Sequence, residues 1–456
     1  HDHKYDSISQ EEYYRFFAFF NTSSEGGKGA TNGNTAPKIA VHSPLRDPQA
    51  MQRDLKERLA ALDRLREKGK GVFAKTVDVE RAVLKKQIKS GKTSVMVMDH
   101  KAGRRPTHVL IRGQYNKKGK RVEPGVPSIL PPLKAKNADR PTRLDLARWL
   151  VRSDHPLTAR VAVNRYWQML FGTGLVPTSE DFGTQGMPPS HPKLLDWLAV
   201  DFQKHGWDVR RLLKQIVMSQ TYRRRSEVTE KMRSADPTNR FLARSPRYRL
   251  AAELVRDNAL AIAGLLDRTV GGPSVYPDQP EGLWRQVSHY GYPKPFTAQI
   301  YLPGGPKARY RRSMYTVWKR TAPPPDLAIF DAPTRETCTV RRQSTNTPLQ
   351  ALVTLNGPVY ADAARALAQR MLREGGPDDR TKLVHGFRLA TARRPAAREL
   401  NVLLRGLNRH RRAYRADPKA AAAWAGPGGK RPAFERAAWA MVAGTILNLD
   451  EVLNRP

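Results

Sequence analysis

Apolar residues recur at helical spacing over most of this chain, and proline and glycine mark the breaks between the helical stretches. In residues 48–68, Leu55, Leu59, Leu62 and Leu65 fall on one stripe between charged positions, which predicts an amphipathic helix. Before it, Glu11-Glu12-Tyr13-Tyr14-Arg15-Phe16-Phe17-Ala18-Phe19-Phe20 predicts a helical end piece so aromatic that it needs burial, with the partner expected upstream of His1. Residues 22–37 are rich in Gly, Ser, Thr and Asn and predict a linker.

From Thr93 to Tyr115 the pattern becomes TSVMVMDHKAGRRPTHVLIRGQY, two short β-prone runs around a Lys-Ala-Gly-Arg-Arg-Pro turn, which predicts one small hairpin. Pro124, Pro127, Pro131, Pro132 and Pro141 predict an extended connector. Beyond it, His155-Pro156 and His191-Pro192 place proline at a first helical position, with Gly172 and Gly206 as the stops. Asp208 caps the next helix. Thr347-Pro348-Leu349-Gln350 has capping-box spacing before a helix that stops at Asn356-Gly357-Pro358. A stretch from about Val270 to Pro325, carrying Trp284, Tyr290, Tyr292, Phe296, Tyr301 and Tyr310, interrupts the helices as a long loop of the functional or belt-like kind. The fold class expected is mainly α: a multi-helix domain with a small β-hairpin segment and long proline-rich loops.

Composition narrows the function. Lys and Arg number 80 against 42 Asp and Glu, a net charge of +38, which calls for a polyanionic partner: nucleic acid, an acidic membrane surface, or a sulfated or carboxylated polysaccharide. Spread along the whole chain, the same charge is also what a basic, solvated surface looks like. The single Cys338 excludes an internal disulfide framework or a multi-cysteine metal site, and no apolar run of about 18 residues exists to span a bilayer. The chain opens on His1 within the polar HDHKYD, without a start Met or signal peptide, so an upstream part is expected.

Long motifs carry a resemblance. HDHKYDSISQEEYYRFFAFFN resembles the tail of the second planctomycete cytochrome-associated domain (DUF-1549, PSCyt-2), and PTRLDLARWLVRSDHPLTARVAVNRYWQMLFGTGLVPTSEDFGTQG resembles the start of its partner domain of unknown function (DUF-1553, PSD-1). HPKLLDWLAVDF, GWDVRRLLKQIVMSQTYRRRS, DPTNRFLARSPRYRLAAELVRDNAL, FDAPTRETCTVRRQSTNTPLQALVTLN and NLDEVL extend it, so that it covers residues 1–25 and nearly all from 138 onward. It implies a remnant of the first domain in 1–70, a small β-containing connector in 71–137, and a large helical domain in 138–456. It also implies an exported protein, periplasmic or at the cell surface, beside sulfatase-like or cytochrome partners. His1 would then be the proximal ligand of a Cys-x-x-Cys-His haem c in the intact protein; both cysteines are missing here, so no cofactor and no metal is expected in these residues. Ser7 stands where relatives commonly carry proline.

The candidate sites each have a bland reading. A free terminus followed by His3 chelates Cu(II) or Ni(II), an arrangement that truncation alone creates. Asn164 and Arg165, on the helix face opposite or beside Val163, Tyr166, Trp167 and Leu170, read as substrate contacts or as a buried polar network. Glu253 and Asp257, four apart on a helix, read as a general acid/base pair for polysaccharide cleavage, or as a structural network with Arg249 and Arg256. Asp331, Arg335, Glu336, Arg341, Arg342, Thr345, Asn346 and Gln350 form the densest polar cluster; Arg335, Arg341, Arg342 and Asn346 ahead of a capped helix suit an anion, with Asn164 and Arg165 as an opposite wall, or they pin a loop by ion pairs. Cys338 within it reads as a packed thiol. The expected function is an exported accessory or polysaccharide-processing protein acting on anionic glycan. The alternatives are a nucleic-acid-binding basic protein, which no helix-turn-helix or zinc-finger motif accompanies, and a non-catalytic cell-surface interaction module.

Overall fold

The computed structural model describes residues 2–25, 34–41, 47–68, 71–90, 92–101, 103, 105–280, 282–287, 301–304, 306–427 and 431–455. His1, Tyr290, Tyr292 and Phe296, singled out from the sequence, lie outside the described residues, as does the side chain of Leu65. The fold is mainly helical with small two-stranded sheets. Two compact units interleave along the chain: the residues up to Ile39 with Val95–Arg247, and Ala40–Ser94 with Tyr248–Arg455. Among the described residues no helix is long and apolar enough to cross a membrane.

In the first unit the core is built by the helices Thr158–Phe171, Pro192–Lys204 and Val209–Val217. Val163, Trp167 and Phe171, at helical spacing, face Leu195, Leu198, Phe202, Leu212 and Ile216. Trp167 stacks on Phe171 with ring centroids 4.2 Å apart. Asp208 caps its helix as expected, its carboxylate accepting from the Arg211 backbone N–H at 3.0 Å. The first of the three helices begins at Thr158 rather than at Pro156. The buried His155 holds the residues in between outside the helix: its Nδ1 accepts from the backbone N–H groups of Leu157 and Thr158, both at 3.3 Å.

Two other expectations are corrected here. The runs 93–96 and 107–110 do not form a hairpin with each other; Thr107–Leu110 pairs antiparallel with Lys118–Val122. The segment after the first run is drawn to the N-terminal stretch instead, where the Val97 N–H donates to the Pro37 carbonyl at 3.1 Å and the Lys101 N–H to that of Thr22 at 2.8 Å. The aromatic stretch also finds a partner downstream: Phe19 is 2% exposed against Leu146 and Trp149, while Tyr13, at 61% exposed, stays on the surface.

The second unit is a helical bundle around Ala433–Leu447, a helix buried on nearly every side through Ala437, Ala438, Trp439, Ala440, Val442, Ala443, Ile446 and Leu447. Its alanines let Pro358–Glu374 approach closely, and Leu367, Leu383, Leu407 and Trp439 have no exposed surface. Burial of each such side chain stabilises by about 1.5–3 kcal/mol. The helix Pro348–Asn356 has the expected Thr347/Gln350 capping box, and Gly357 separates it from the next helix, which starts at Pro358. The hairpin Pro48–Lys68 and Gly71–Ser90 buries Leu55 and Leu62 with Val77, Leu84 and Leu302, so the predicted leucine stripe is a packing face.

Candidate functional site

The helix Ala252–Ala263 of the second unit carries Glu253 and Asp257, and the irregular segment 331–347 approaches its first turn. Arg342 spans 89 residues to fork onto Glu253, with guanidinium nitrogens 2.5 and 3.2 Å from the two carboxylate oxygens. Burial acts to raise the Glu253 pKa, but the Arg342 hydrogen bonds and the nearby charge of Arg335 outweigh it and hold the carboxyl below its ordinary value. Asp257 is engaged as fully: it accepts from the Ser313 backbone N–H at 2.8 Å and hydroxyl at 2.7 Å, with Arg256 at 3.5 Å. Glu253, with its pKa lowered, is not placed as the raised-pKa proton donor that acid catalysis of glycoside cleavage needs, and Asp257 is spent on Ser313 and Arg256. The arrangement is a network of ion pairs, with Arg342 in the place where the sequence suggested Arg249.

Arg249 turns to the other end of the segment, donating to Asn346 Oδ1 at 2.9 Å and to the Gln350 side chain. Asp331, itself in a left-handed backbone conformation, accepts from the Thr345 N–H at 2.8 Å and hydroxyl at 2.9 Å. Arg335, also left-handed, lays its guanidinium 4.3 Å from the centre of the Trp318 ring. The segment is thus stitched at both ends. Between the stitches Arg341 is exposed and makes no hydrogen bond or ion pair with a described residue. Cys338 is exposed, correcting the packed thiol expected: it lies within a run of exposed residues, 334–339.

Asn164 and Arg165 sit in the first unit. Asn164 has no exposed surface and is spent internally, its Oδ1 accepting from the Val176 N–H at 2.8 Å while its Nδ2 donates to the Val176 carbonyl at 3.1 Å and Ser179 Oγ at 3.0 Å. Arg165 points to the surface. His3 Nδ1 accepts from the Asp6 N–H at 2.9 Å, and among the described residues no group of three or more His, Cys, Asp or Glu is placed to hold a metal ion.

Sequence reasoning passed over one feature of the second unit, a cavity of about 250 Å³ lined in part by Arg256, Gln279 and Asp326. Its only trace in the sequence is Pro323-Pro324-Pro325-Asp326, a stiff turn that ends on a carboxylate beside the core.

Fold and site define a mainly helical, strongly basic protein whose arginine-bearing loop is anchored on a helical bundle. Residues 142–407 match PSD1, described as a protein of unknown function (DUF1553), and the chain belongs to that family. No curated protein and no solved structure matches it.

Proposed function

We infer that this protein binds anionic polysaccharide, sulfated or carboxylated, outside the cell, as an accessory to c-type cytochrome and sulfatase-like partners, and that its anion contact is the Arg341 loop. The observation that carries the reading is Arg341: an exposed, unpaired guanidinium on a segment whose neighbours are spent holding it in place. A charged group presented by an anchored loop loses less entropy on binding than one on a free chain. The net charge of +38 adds long-range attraction for a polyanion. With Glu253 and Asp257 both engaged, the support is for binding and not for cleavage.

The partners and the extracellular location rest on the resemblance of the HDHKYD stretch to the cytochrome-associated domain, in which His1 would ligate a covalent haem c in the intact protein. A gene lacking Cys-x-x-Cys codons directly before His1 removes that part. The binding reading is tested by retention on a sulfated polysaccharide and on double-stranded DNA at physiological salt, where screening within about 8 Å suppresses diffuse attraction. Tighter retention on the polysaccharide is expected. Tighter retention on DNA than on every anionic glycan tried transfers the protein to the nucleic-acid-binding class.

A further inference from the structure

The cavity of about 250 Å³ in the second unit has walls of opposite character. Five prolines, among them Pro277, Pro324 and Pro358, give it rigid apolar sides, and Asp326, Gln279, Arg256, Thr316 and Asp278 supply the polar groups, with the Asp278 carboxylate already paired with Arg309. At roughly 30 Å³ per water it holds about eight waters, below the ~300 Å³ at which drug-sized sites begin, so its occupant is a single small ring or something of that bulk.

The polar groups are unequally satisfied. Arg256 is 4% exposed and spends its guanidinium on the chain: it donates to the Arg311 carbonyl at 3.0 Å, to Ser313 Oγ at 3.1 Å and to the Arg309 carbonyl, with Asp257 beside it as counter-charge. Asp326 has no hydrogen bond or ion pair with a described residue, and burial raises its pKa. Among the described residues Gln279 Oε1 is buried without a donor, and outside the cavity lining the nearby Tyr360 hydroxyl, which feels the charges of Asp326 and Arg256, is buried without a partner too. Buried polar groups left unpaired oppose folding, and the buried Gln279 Oε1 together with the unpaired Asp326 carboxyl on the wall of one cavity marks a place where a ligand completes them.

The pattern of unmet acceptors selects the chemistry. An anion meets the oxygens of Asp326 and Gln279, which repel it. An ammonium group meets the Arg256 cation lining the same space. A neutral molecule bearing several hydroxyls suits every surface: O–H groups donate to the acceptors, and C–H faces lie on proline. We propose that this cavity binds one neutral sugar ring, with hydroxyls donated to Asp326 and Gln279 Oε1. This goes beyond the anion-binding reading and does not depend on it, because the Arg341 loop supplies no wall of the cavity.

The full chain is titrated with D-glucose, D-galactose, D-mannose, L-fucose and D-xylose at millimolar concentration by calorimetry and ligand-observed NMR, with D-glucuronate and D-glucosamine as charged comparisons. At least one neutral sugar binds, and Asp326→Ala and Gln279→Ala each weaken it about tenfold or more, as loss of a hydrogen bond to a buried site does. Asp326→Ala also melts at or above wild type, because it removes a half-buried carboxyl with no partner among the described residues, so lost binding is not lost folding. The proposal is overturned if none of the five neutral sugars binds, if only a charged comparison binds, or if a bound sugar is indifferent to both variants. Retention on sulfated polysaccharide is read separately, so either proposal can fail alone.

Discussion

Asn164→Ala separates a structural amide from a ligand contact. The side chain has no exposed surface and ties its helix to Val176 and Ser179 through three hydrogen bonds of 2.8 to 3.1 Å. After truncation the Val176 carbonyl and the Ser179 hydroxyl keep each other at 3.3 Å, so the group left stranded is the Val176 N–H. An orphaned buried donor costs about 1–3 kcal/mol. The lost side-chain volume adds roughly another 1 kcal/mol, since Gly174, whose added Cβ would lie 2.6 Å from the Asn164 amide, marks how closely the loop already fits. The expected loss is about 2–4 kcal/mol, and at ~2–4 °C per kcal/mol for a unit of this size Tm falls by roughly 4–16 °C. Scanning calorimetry measures it, with polysaccharide retention recorded below the melt. Asn164→Asp behaves worse, because a carboxylate oxygen replaces the donor facing the Val176 carbonyl. A folded Asn164→Ala protein with unchanged Tm and lost retention refutes the reasoning and returns Asn164 to the binding site.

Gly386→Ala places a Cβ 2.5 Å from Met371 Sδ, a side chain with no exposed surface; overpacking at about 1–3 kcal/mol exceeds the helix-propensity gain of about 1 kcal/mol, so urea unfolding shows a net loss of stability. Arg342→Ala frees Glu253, whose pKa rises because burial is then opposed only by a backbone hydrogen bond and the charge of Arg335; carboxyl NMR titration measures the shift. Glu399 is held at about 2, first by the Arg393 hydrogen bonds, so its share of stability is complete above its unfolded value of 4.5 and disappears as pH falls to about 2. The Tm difference between wild type and Arg393→Met therefore shrinks over that window. Asp326 has the opposite sign: its pKa is raised by burial, so the folded state takes up the proton first on acidification, and the Tm advantage of Asp326→Ala fades from neutral pH toward 3.8.

Local rules carried far in the sequence. The Asp208 cap and the Thr347/Gln350 box were legible because each is written within four residues and needs no tertiary partner. The Val163, Trp167 and Leu55, Leu62 faces were legible because helical spacing alone decides which side is buried. Pairing across the chain was not. The β-prone run at 93–96 reads like half of a hairpin, but the neighbouring segment is bonded to Thr22 and Pro37, and strand propensity does not name a partner. In the polar cluster the residue types were visible while the matches were not: Glu253 meets Arg342, 89 residues away, and Arg249 reaches Asn346, 97 residues away. With so many arginines the choice among them is made by tertiary packing. The cavity left almost no trace, because Gln279 and Asp326 come from separated segments and matter through lacking partners among the described residues, a property that no spacing encodes.

On the proposed function, Arg341 contacts an anion while its neighbours hold the loop. Arg341→Ala removes one charge from a chain with 80 basic residues, so diffuse attraction for a polyanion scarcely changes, whereas a direct contact loses about 1.5–3 kcal/mol per charged hydrogen bond. Calorimetric titration of wild type and Arg341→Ala with a short sulfated oligosaccharide at physiological salt separates the two. The expected result is an unchanged melting temperature, since Arg341 has no partner among the described residues to lose, with affinity weakened by about one to two orders of magnitude. Binding equal to wild type by a folded Arg341→Ala protein contradicts it and makes the 331–347 segment a loop pinned by its own ion pairs.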